Sequence, residues 1–358
     1  MRGVQLEAFG NPSSVHGAGT AAARAVERAR CLLALRLGAQ PDEIFFTSGG
    51  TESNNLALLG TAPAPSSRRF RLAVSAVEHP SVLEPARRLE RDGSALAVLG
   101  VDSDGIVRLD LLEKALRKGL DLVSVMHANN ETGAVQPVEQ IGALCRRHGA
   151  LFHTDACQSF CKLPLDVNKI KADLVTFNAH KMHGPKGVGA LYVRKGVSLS
   201  PLMTGGGQER GLRSGTLNTP GIAGFGAAAQ LCTDKECAKA AALRDFFISS
   251  ALSSIPGAAL NGHPEKRLCG NINLRFSGVE SKPLLLKLSA RGIYVSSGSA
   301  CSAGKTEPSH VLVAMGQDRR TALSALRFSL GRGTTKAQLV YALNELRRAV
   351  EEARKCRN

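Results

Sequence analysis

The segment Asn178-Ala179-His180-Lys181-Met182-His183-Gly184-Pro185-Lys186-Gly187 places a lysine between two apolar, β-prone runs, residues 173–177 and 189–193. A lysine at a strand end, beside a histidine and ahead of a glycine-containing turn, is close to a rigid scaffold and still free to react. An amine in that setting can lose its proton and form a Schiff base with an aldehyde cofactor. Taken alone, the same lysine reads equally as a solvated loop residue, so the other strand ends must decide.

Several of those ends carry polar residues where apolar ones would be ordinary. Thr47-Ser48-Gly49-Gly50-Thr51-Glu52-Ser53-Asn54 joins a strand to a helix. Glycines, hydroxyls and exposed amides at a helix N-terminus make a seat for an anion such as phosphate, or else an ordinary N-cap turn. Glu78-His79 ends the next strand with a histidine, which alone could equally be structural. His127-Ala128-Asn129-Asn130-Glu131-Thr132-Gly133 ends another in amides. His153-Thr154-Asp155-Ala156-Cys157-Gln158 supplies a carboxylate that, once buried, needs a cationic partner. A protonated pyridine nitrogen is such a partner. Phosphate seat, ring-facing histidine, aspartate and lysine together describe a site for pyridoxal 5'-phosphate acting as an electron sink.

A further motif, Ser296-Ser297-Gly298-Ser299-Ala300-Cys301-Ser302-Ala303-Gly304-Lys305-Thr306-Glu307-Pro308, holds a cysteine among small residues with a lysine nearby. Cys301 reads as an exposed nucleophile or as a buried, inert thiol. Gly304-Lys305-Thr306 invites a phosphate-loop reading, but that motif needs glycine where Ser299 stands, so ATP binding is not expected.

The elements that must position these residues alternate along most of the chain. Helical patterns cover 20–37, 51–59, 82–91 and 138–148; strand-like runs cover 43–48, 71–77, 121–128, 151–154 and 173–178. Such alternation predicts an α/β fold with functional residues at the carboxyl ends of parallel strands. Beyond about residue 235 the texture changes to helix 238–254, strand 271–276, helix 283–290, strand 325–330 and helix 335–354, a smaller α+β lobe. The expected domains are therefore 1–235 and 236–358.

With 358 residues, 43 % hydrophobic and 21 % charged, the chain is long enough for two lobes and has a globular composition. No uncharged apolar stretch reaches the roughly 18–20 residues of a membrane span. Nine cysteines without paired spacing favour neither a disulfide framework nor a metal site, and fit reduced thiols in the cytoplasm. The net charge of +16 is spread along helices (Arg24, Arg28, Arg30; Arg87, Arg88, Arg91; Arg347, Arg348, Arg354, Lys355). Without aromatic interleaving these read as solvated faces, and no direct nucleic-acid binding is expected.

The motifs Thr47–Asn54, Glu78-His79, Asn129–Gly133, Asp155–Gln158, His180–Val188, Gly205-Gly206-Gly207-Gln208-Glu209-Arg210, Arg213-Ser214-Gly215-Thr216 and Ser296–Cys301 follow one another as in the cysteine desulfurases. The chain resembles that family, within the fold-type I, class V aminotransferase superfamily, from about Phe9 almost to the C-terminus. The resemblance implies a large domain with a mainly parallel seven-stranded sheet, a small C-terminal domain carrying a mobile cysteine loop, and a homodimer. It implies Lys181 as the Schiff-base lysine, His79 stacked on the cofactor ring, Asp155 on the pyridinium nitrogen and Gln158 on the ring hydroxyl. Gly50, Thr51, Asn178 and His180 would hold the phosphate, with Thr216 reaching across from the second subunit; Asn178 stands where the family more often has serine. Asn130 and Arg327 would bind the substrate carboxylate, and Cys301 would accept sulfur from L-cysteine. An acceptor protein, such as an iron–sulfur scaffold or a tRNA-thiolation enzyme, would then take it. Related selenocysteine lyases share 49–55 and 205–210, so L-selenocysteine is the alternative substrate. The family's usual first strand and helix, ahead of Phe9, are not found here; the expectation is a missing N-terminal segment, with an organelle address or a non-catalytic paralogue as further readings.

Overall fold

The computed structural model describes residues 1–63, 69–298 and 307–355. They form two compact units, one of residues 1–99, 109–127 and 137–232, the other of 100–108, 128–136 and 233 onward. In chain order the first contains α1 (Arg2–Glu7), α2 (Gly17–Leu37), β1 (Ile44–Thr47), α3 (Gly50–Thr61), β2 (Arg71–Ser75), α4 (Pro80–Arg91), β3 (Ala95–Leu99), α5 (Leu109–Leu116), β4 (Leu122–Ser124), α6 (Val138–His148), β5 (Leu151–Asp155), β6 (Leu174–Asn178), β7 (Gly189–Val193) and α7 (Thr219–Leu231).

The seven strands make one sheet in the order β1-β7-β6-β5-β4-β2-β3. From β6 through β3 all pairings are parallel, while β7 runs antiparallel to both of its neighbours. β4, β6 and β7 are buried along their whole length, which is why their sequences read as continuous apolar runs rather than alternations. Because all strands but β7 share one direction, the carboxyl ends of β1, β2, β4, β5 and β6 emerge at one edge of the sheet. The polar strand ends picked out from sequence are therefore gathered there.

α1, α5, α7 and β3 do not stand out in the sequence. α7 is rich in glycine and alanine and has no clear apolar stripe, because close packing on α2 needs small residues. A Cβ at Gly226 would lie 2.8 Å from Ala29 Cα. α2 presents Ala22, Val26, Ala29 and Leu33 as its buried face, and its chain reverses at Gly38, whose φ of 67° suits glycine.

The second unit holds α8 (Asp234–Ser254), β8 (Ala258–Leu260), β9 (Asn271–Phe276), α9 (Ser281–Ser289), α10 (His310–Ala314), α11 (Arg319–Ala322), β10 (Ala325–Ser329) and α12 (Lys336–Lys355). Its sheet is antiparallel, ordered β10-β9-β8. Phe247, Ile272, Leu274, Phe276, Leu326, Phe328 and Leu346 form its core. The α/β class, the mainly parallel seven-stranded sheet and the smaller α+β unit agree with expectation. No helix among the described residues is long and apolar enough to cross a membrane.

One expectation is corrected. Arg30 belongs to no solvated face: it is 3 % exposed. Its guanidinium forks onto Glu209, with Nη1 donating to Oε2 at 2.9 Å and Nη2 to Oε1 at 2.7 Å, and also donates to Ile44 O. Glu209 in turn accepts from Phe46 N at 2.7 Å. Burying the pair requires every lone pair and proton to be used, and this geometry comes close to doing so. The clamp holds Glu209 and Arg210 with φ of 48° and 56°, a region that side-chain-bearing residues avoid. Arg30→Ala strands a buried carboxylate and is expected to cost about 3–5 kcal/mol. Urea unfolding measures it; a loss below about 1 kcal/mol would show that the clamp does not hold this segment.

Candidate active site

The ends of β1, β2, β5 and β6 each deliver one part of the site. After β1 the chain turns at Gly49 into α3, whose N-terminus has no side-chain cap. Its first amides therefore remain available to an anion. Two close approaches shape this turn. A Cβ on Gly189 of β7 would sit 2.7 Å from Gly49 Cα, and a Cβ on Gly50 would sit 2.5 Å from Cys157 Sγ and 3.2 Å from Asn178 Nδ2. Only hydrogen fits between the turn and the ends of β5, β6 and β7.

β5 ends in Asp155, 5 % exposed. Its Oδ1 accepts from Cys157 N at 2.8 Å and its Oδ2 from Asn54 Nδ2 at 2.7 Å. Among the described residues no lysine or arginine forms a salt bridge with it. β6 ends in buried Asn178, whose Oδ1 accepts from Lys181 N at 3.3 Å across the short 3₁₀ turn His180–Met182. Lys181 itself is exposed. After β2, half-buried His79 caps α4 and, with Thr51, Asn55, Ser81 and Glu84, lines a cavity of about 450 Å³. Gln158 lies half-buried beside Cys157 in the turn after β5, His180 is exposed next to Lys181, and Thr216 is exposed.

The second unit holds the remaining candidates. Arg327 Nη1 donates to Asn130 O at 2.9 Å. Asn130 projects from a turn knotted by Asn129 Oδ1, which accepts from Glu131 N and Thr132 N. Sequence reasoning passed over Glu131, which is 1 % exposed and accepts from Ser309 Oγ at 2.6 Å. Ser296 pairs with Arg327 through both backbone hydrogen bonds, so Glu131 and Arg327 brace residues on either side of the cysteine motif. Cys301 lies outside the described residues.

Titratable groups around Asp155 are held uncharged. Burial, then the charge of Asp155, pushes Glu78 well above the usual carboxylate range. Burial, then Asp155, likewise pushes the Cys157 thiol up. Burial lowers His127 and His153 to about 4. Partial burial and the nearby Lys181, Lys186 and Lys162 lower His180. A buried carboxylate with two donors and, among the described residues, no salt-bridged cation, near an uncapped helix N-terminus and the exposed amine of Lys181, fits pyridoxal 5'-phosphate: a basic ring nitrogen, a phosphate and an aldehyde.

Two expectations follow. Gly50→Ala drives Cβ into Cys157 Sγ and should destabilise the first unit by about 1–3 kcal/mol. Gly50→Ala with Cys157→Ala should recover most of that loss, and additive effects in thermal melts would refute the contact. The second concerns pH. His127 and His153, held neutral, contribute stability that is present above 6.5 and lost as pH falls toward 4, about 3 kcal/mol apiece. Glu78 acts in the opposite sense: its stability is full below 4.5 and declines as pH rises through its raised folded value. Glu78→Gln should therefore be more stable than wild type at alkaline pH and should lose stability more steeply between 6.5 and 4. Parallel stability–pH curves for the two proteins would show that Glu78 carries no proton in the fold.

Comparison with known proteins bears on the same chemistry. The family model described as aminotransferase class-V matches residues 4–341. The cysteine desulfurase IscS of Dictyoglomus turgidum is 46 % identical over 357 residues, covering 99 % of this chain and 91 % of its own. A solved NifS-like protein superposes with a TM-score of 0.90 at 38 % identity, covering 98 % of this chain and 94 % of that one. A structure described as SspA in complex with cysteine has a TM-score of 0.84 at 37 % identity, covering 93 % and 94 %. Near-complete coverage in sequence and fold, added to the aspartate, lysine and anion seat gathered at one sheet edge, leads to one assignment: the chain belongs to the cysteine desulfurase group of the class-V aminotransferase family.

Proposed function

We propose that the protein converts L-cysteine to L-alanine and passes the sulfur, as a persulfide on Cys301, to an acceptor protein. The observation that carries this reading is the convergence of Gly50, Cys157, Asp155, Asn178 and Lys181 at one end of the first unit's sheet.

Gly50 and Thr51 amides at the α3 N-terminus, with Asn178 and His180, would hold the phosphate. Thr216 of each subunit in a homodimer completes the other subunit's phosphate site. Asp155 would pair with the protonated ring nitrogen, Gln158 with the ring hydroxyl, and His79 would contact the ring. Asn130 and Arg327 bind the substrate carboxylate, for which a guanidinium fork is suited. When bound, the cofactor supplies an electron sink for the amino acid's Cα. Lys181 Nζ takes the Cα proton. The Cys301 thiolate attacks the substrate sulfur: an S–S bond forms as the Cβ–S bond breaks, the released electron pair takes up the proton that the substrate thiol gives up, and Lys181 returns the Cα proton, so that alanine leaves and Cys301 keeps the persulfide. The acceptor is a scaffold for iron–sulfur clusters or a tRNA-thiolation enzyme, and the setting is the cytoplasm.

Borohydride reduction of the cofactor-loaded protein, followed by peptide mapping, should put a pyridoxyl mass on the peptide containing Lys181. Lys181→Ala should remove that adduct and lower alanine production by about a thousandfold or more. Cys301→Ala should abolish turnover of L-cysteine while leaving cofactor binding intact. A colourless wild-type protein with no adduct would refute the proposal. Turnover of L-selenocysteine alone, unaffected by Cys301→Ala, would assign a selenocysteine lyase instead.

A further inference from the structure

His79 is a helix cap as well as a candidate ring contact. It is the N-cap of α4, and its Nδ1 accepts from Ser81 N at 3.1 Å. A backbone N–H can only donate, so Nδ1 offers its lone pair and carries no proton. The neutral ring must then hold its proton on Nε2. Ser81 Oγ lies 2.8 Å from the same Nδ1.

That hydroxyl is the middle of a longer chain. Asn54 Nδ2 lies 2.8 Å from Ser81 Oγ and 2.7 Å from Asp155 Oδ2. A carboxylate only accepts, so the group facing Asp155 is the amide NH₂, which fixes the side chain's orientation. One N–H goes to Asp155 and the second to Ser81 Oγ. Ser81 Oγ, already accepting, turns its own proton to His79 Nδ1. With Nδ1 as the acceptor shared by Ser81 N and Oγ, every donor in the chain has a partner, and Asn54, Ser81 and Asp155 are all buried, at 1 %, 8 % and 5 % exposure. In a water-poor setting a chain this fully specified is hard to rearrange.

We propose that Asn54 and Ser81 are positioning residues: they lock His79 as the Nε2–H tautomer and tie it to Asp155. This rests on the reading of His79 and Asp155 as the groups on the ring face and at the ring nitrogen. His79 then serves as a hydrogen-bond donor through Nε2 and is no base at Nδ1. The carboxylate that keeps the ring nitrogen protonated and the histidine on the ring are oriented together by one amide.

The tautomer is measured on cofactor-free protein with ¹⁵N-labelled histidine, by long-range ¹⁵N–¹H correlation at neutral pH, with the His79 signals assigned by their loss in His79→Gln. The expected pattern is a protonated Nε2 and an unprotonated Nδ1; a protonated Nδ1 overturns the proposal. On loaded protein, Asn54→Ala removes the donor to Asp155 and should weaken cofactor binding about tenfold and shift the pH titration of its visible absorbance. Ser81→Ala, which keeps the backbone cap, should leave cofactor affinity within about twofold of wild type while broadening the His79 signals. Unchanged affinity and titration in a folded Asn54→Ala overturn the link to Asp155. If Asn54→Ala does not fold, Asn54→Ser, which keeps one donor, takes its place with the same criterion. Wild-type protein that binds no cofactor would refute the functional reading, while the tautomer measurement would still decide whether the lock exists.

Discussion

A buried carboxylate without a buried cation is costly, and Asp155 is one. The protein surrounds it with neutral groups: Glu78 as the acid, His127 and His153 as free imidazoles, and Cys157 as the thiol. Two neutral donors, Asn54 Nδ2 and Cys157 N, fix its orientation without cancelling its charge. What results is a single negative charge at a strand end, in surroundings of low polarity, with capacity left for one more partner. A protonated pyridine nitrogen would meet that need, and its proton would be held more firmly because so little else competes for the carboxylate. The neighbours' uncharged states all follow from this one choice.

The sheet supplies the precision. Gly50 and Gly189 let the β1–α3 turn lie directly on the ends of β5, β6 and β7, bringing an uncapped helix N-terminus, Asn178 and the Asp155 turn within van der Waals reach of one another. Larger residues would force them apart by the width of a methyl group, and a cofactor held at both its phosphate and its ring nitrogen tolerates little change in that spacing. On the opposite side of β1, the Arg30–Glu209 clamp anchors the segment that leads to Thr216 and holds two residues in a backbone conformation they would not adopt alone.

Much of this was legible in the sequence. Residues 173–178 and 189–193 announce themselves as strands because both faces are buried, and Lys181, Asp155, Gly50 and His79 stand at strand ends where polar residues are out of place. The sequence hides relations more than residues. Asn54 lies in the second turn of α3 and Ser81 in the first turn of α4, and nothing in their spacing shows that they meet across 27 residues. Arg30 and Glu209, 179 residues apart, look like solvated charges until the fold buries them together. α7 is hidden because its glycines, which read as turn formers, are there to admit α2, and β3 because this edge strand is half-buried from Ala95 to Ala97, exposed at Val98 and buried at Leu99, which is no alternation.

The cysteines show how the same surroundings divide labour among thiols. Cys157 is placed beside Asp155 and Lys181. Yet only a thiolate attacks sulfur, and burial together with the Asp155 charge keeps this thiol protonated. Burial first, and the charge of Asp155 second, disfavour the thiolate of the cysteine beside that carboxylate. Cys145, pushed to about 12 by burial, is disabled more simply, by its place in the core. The proposed role of Cys301 as sulfur acceptor agrees with this, because its small-residue motif stands far in sequence from the carboxylate that holds Cys157 as a thiol.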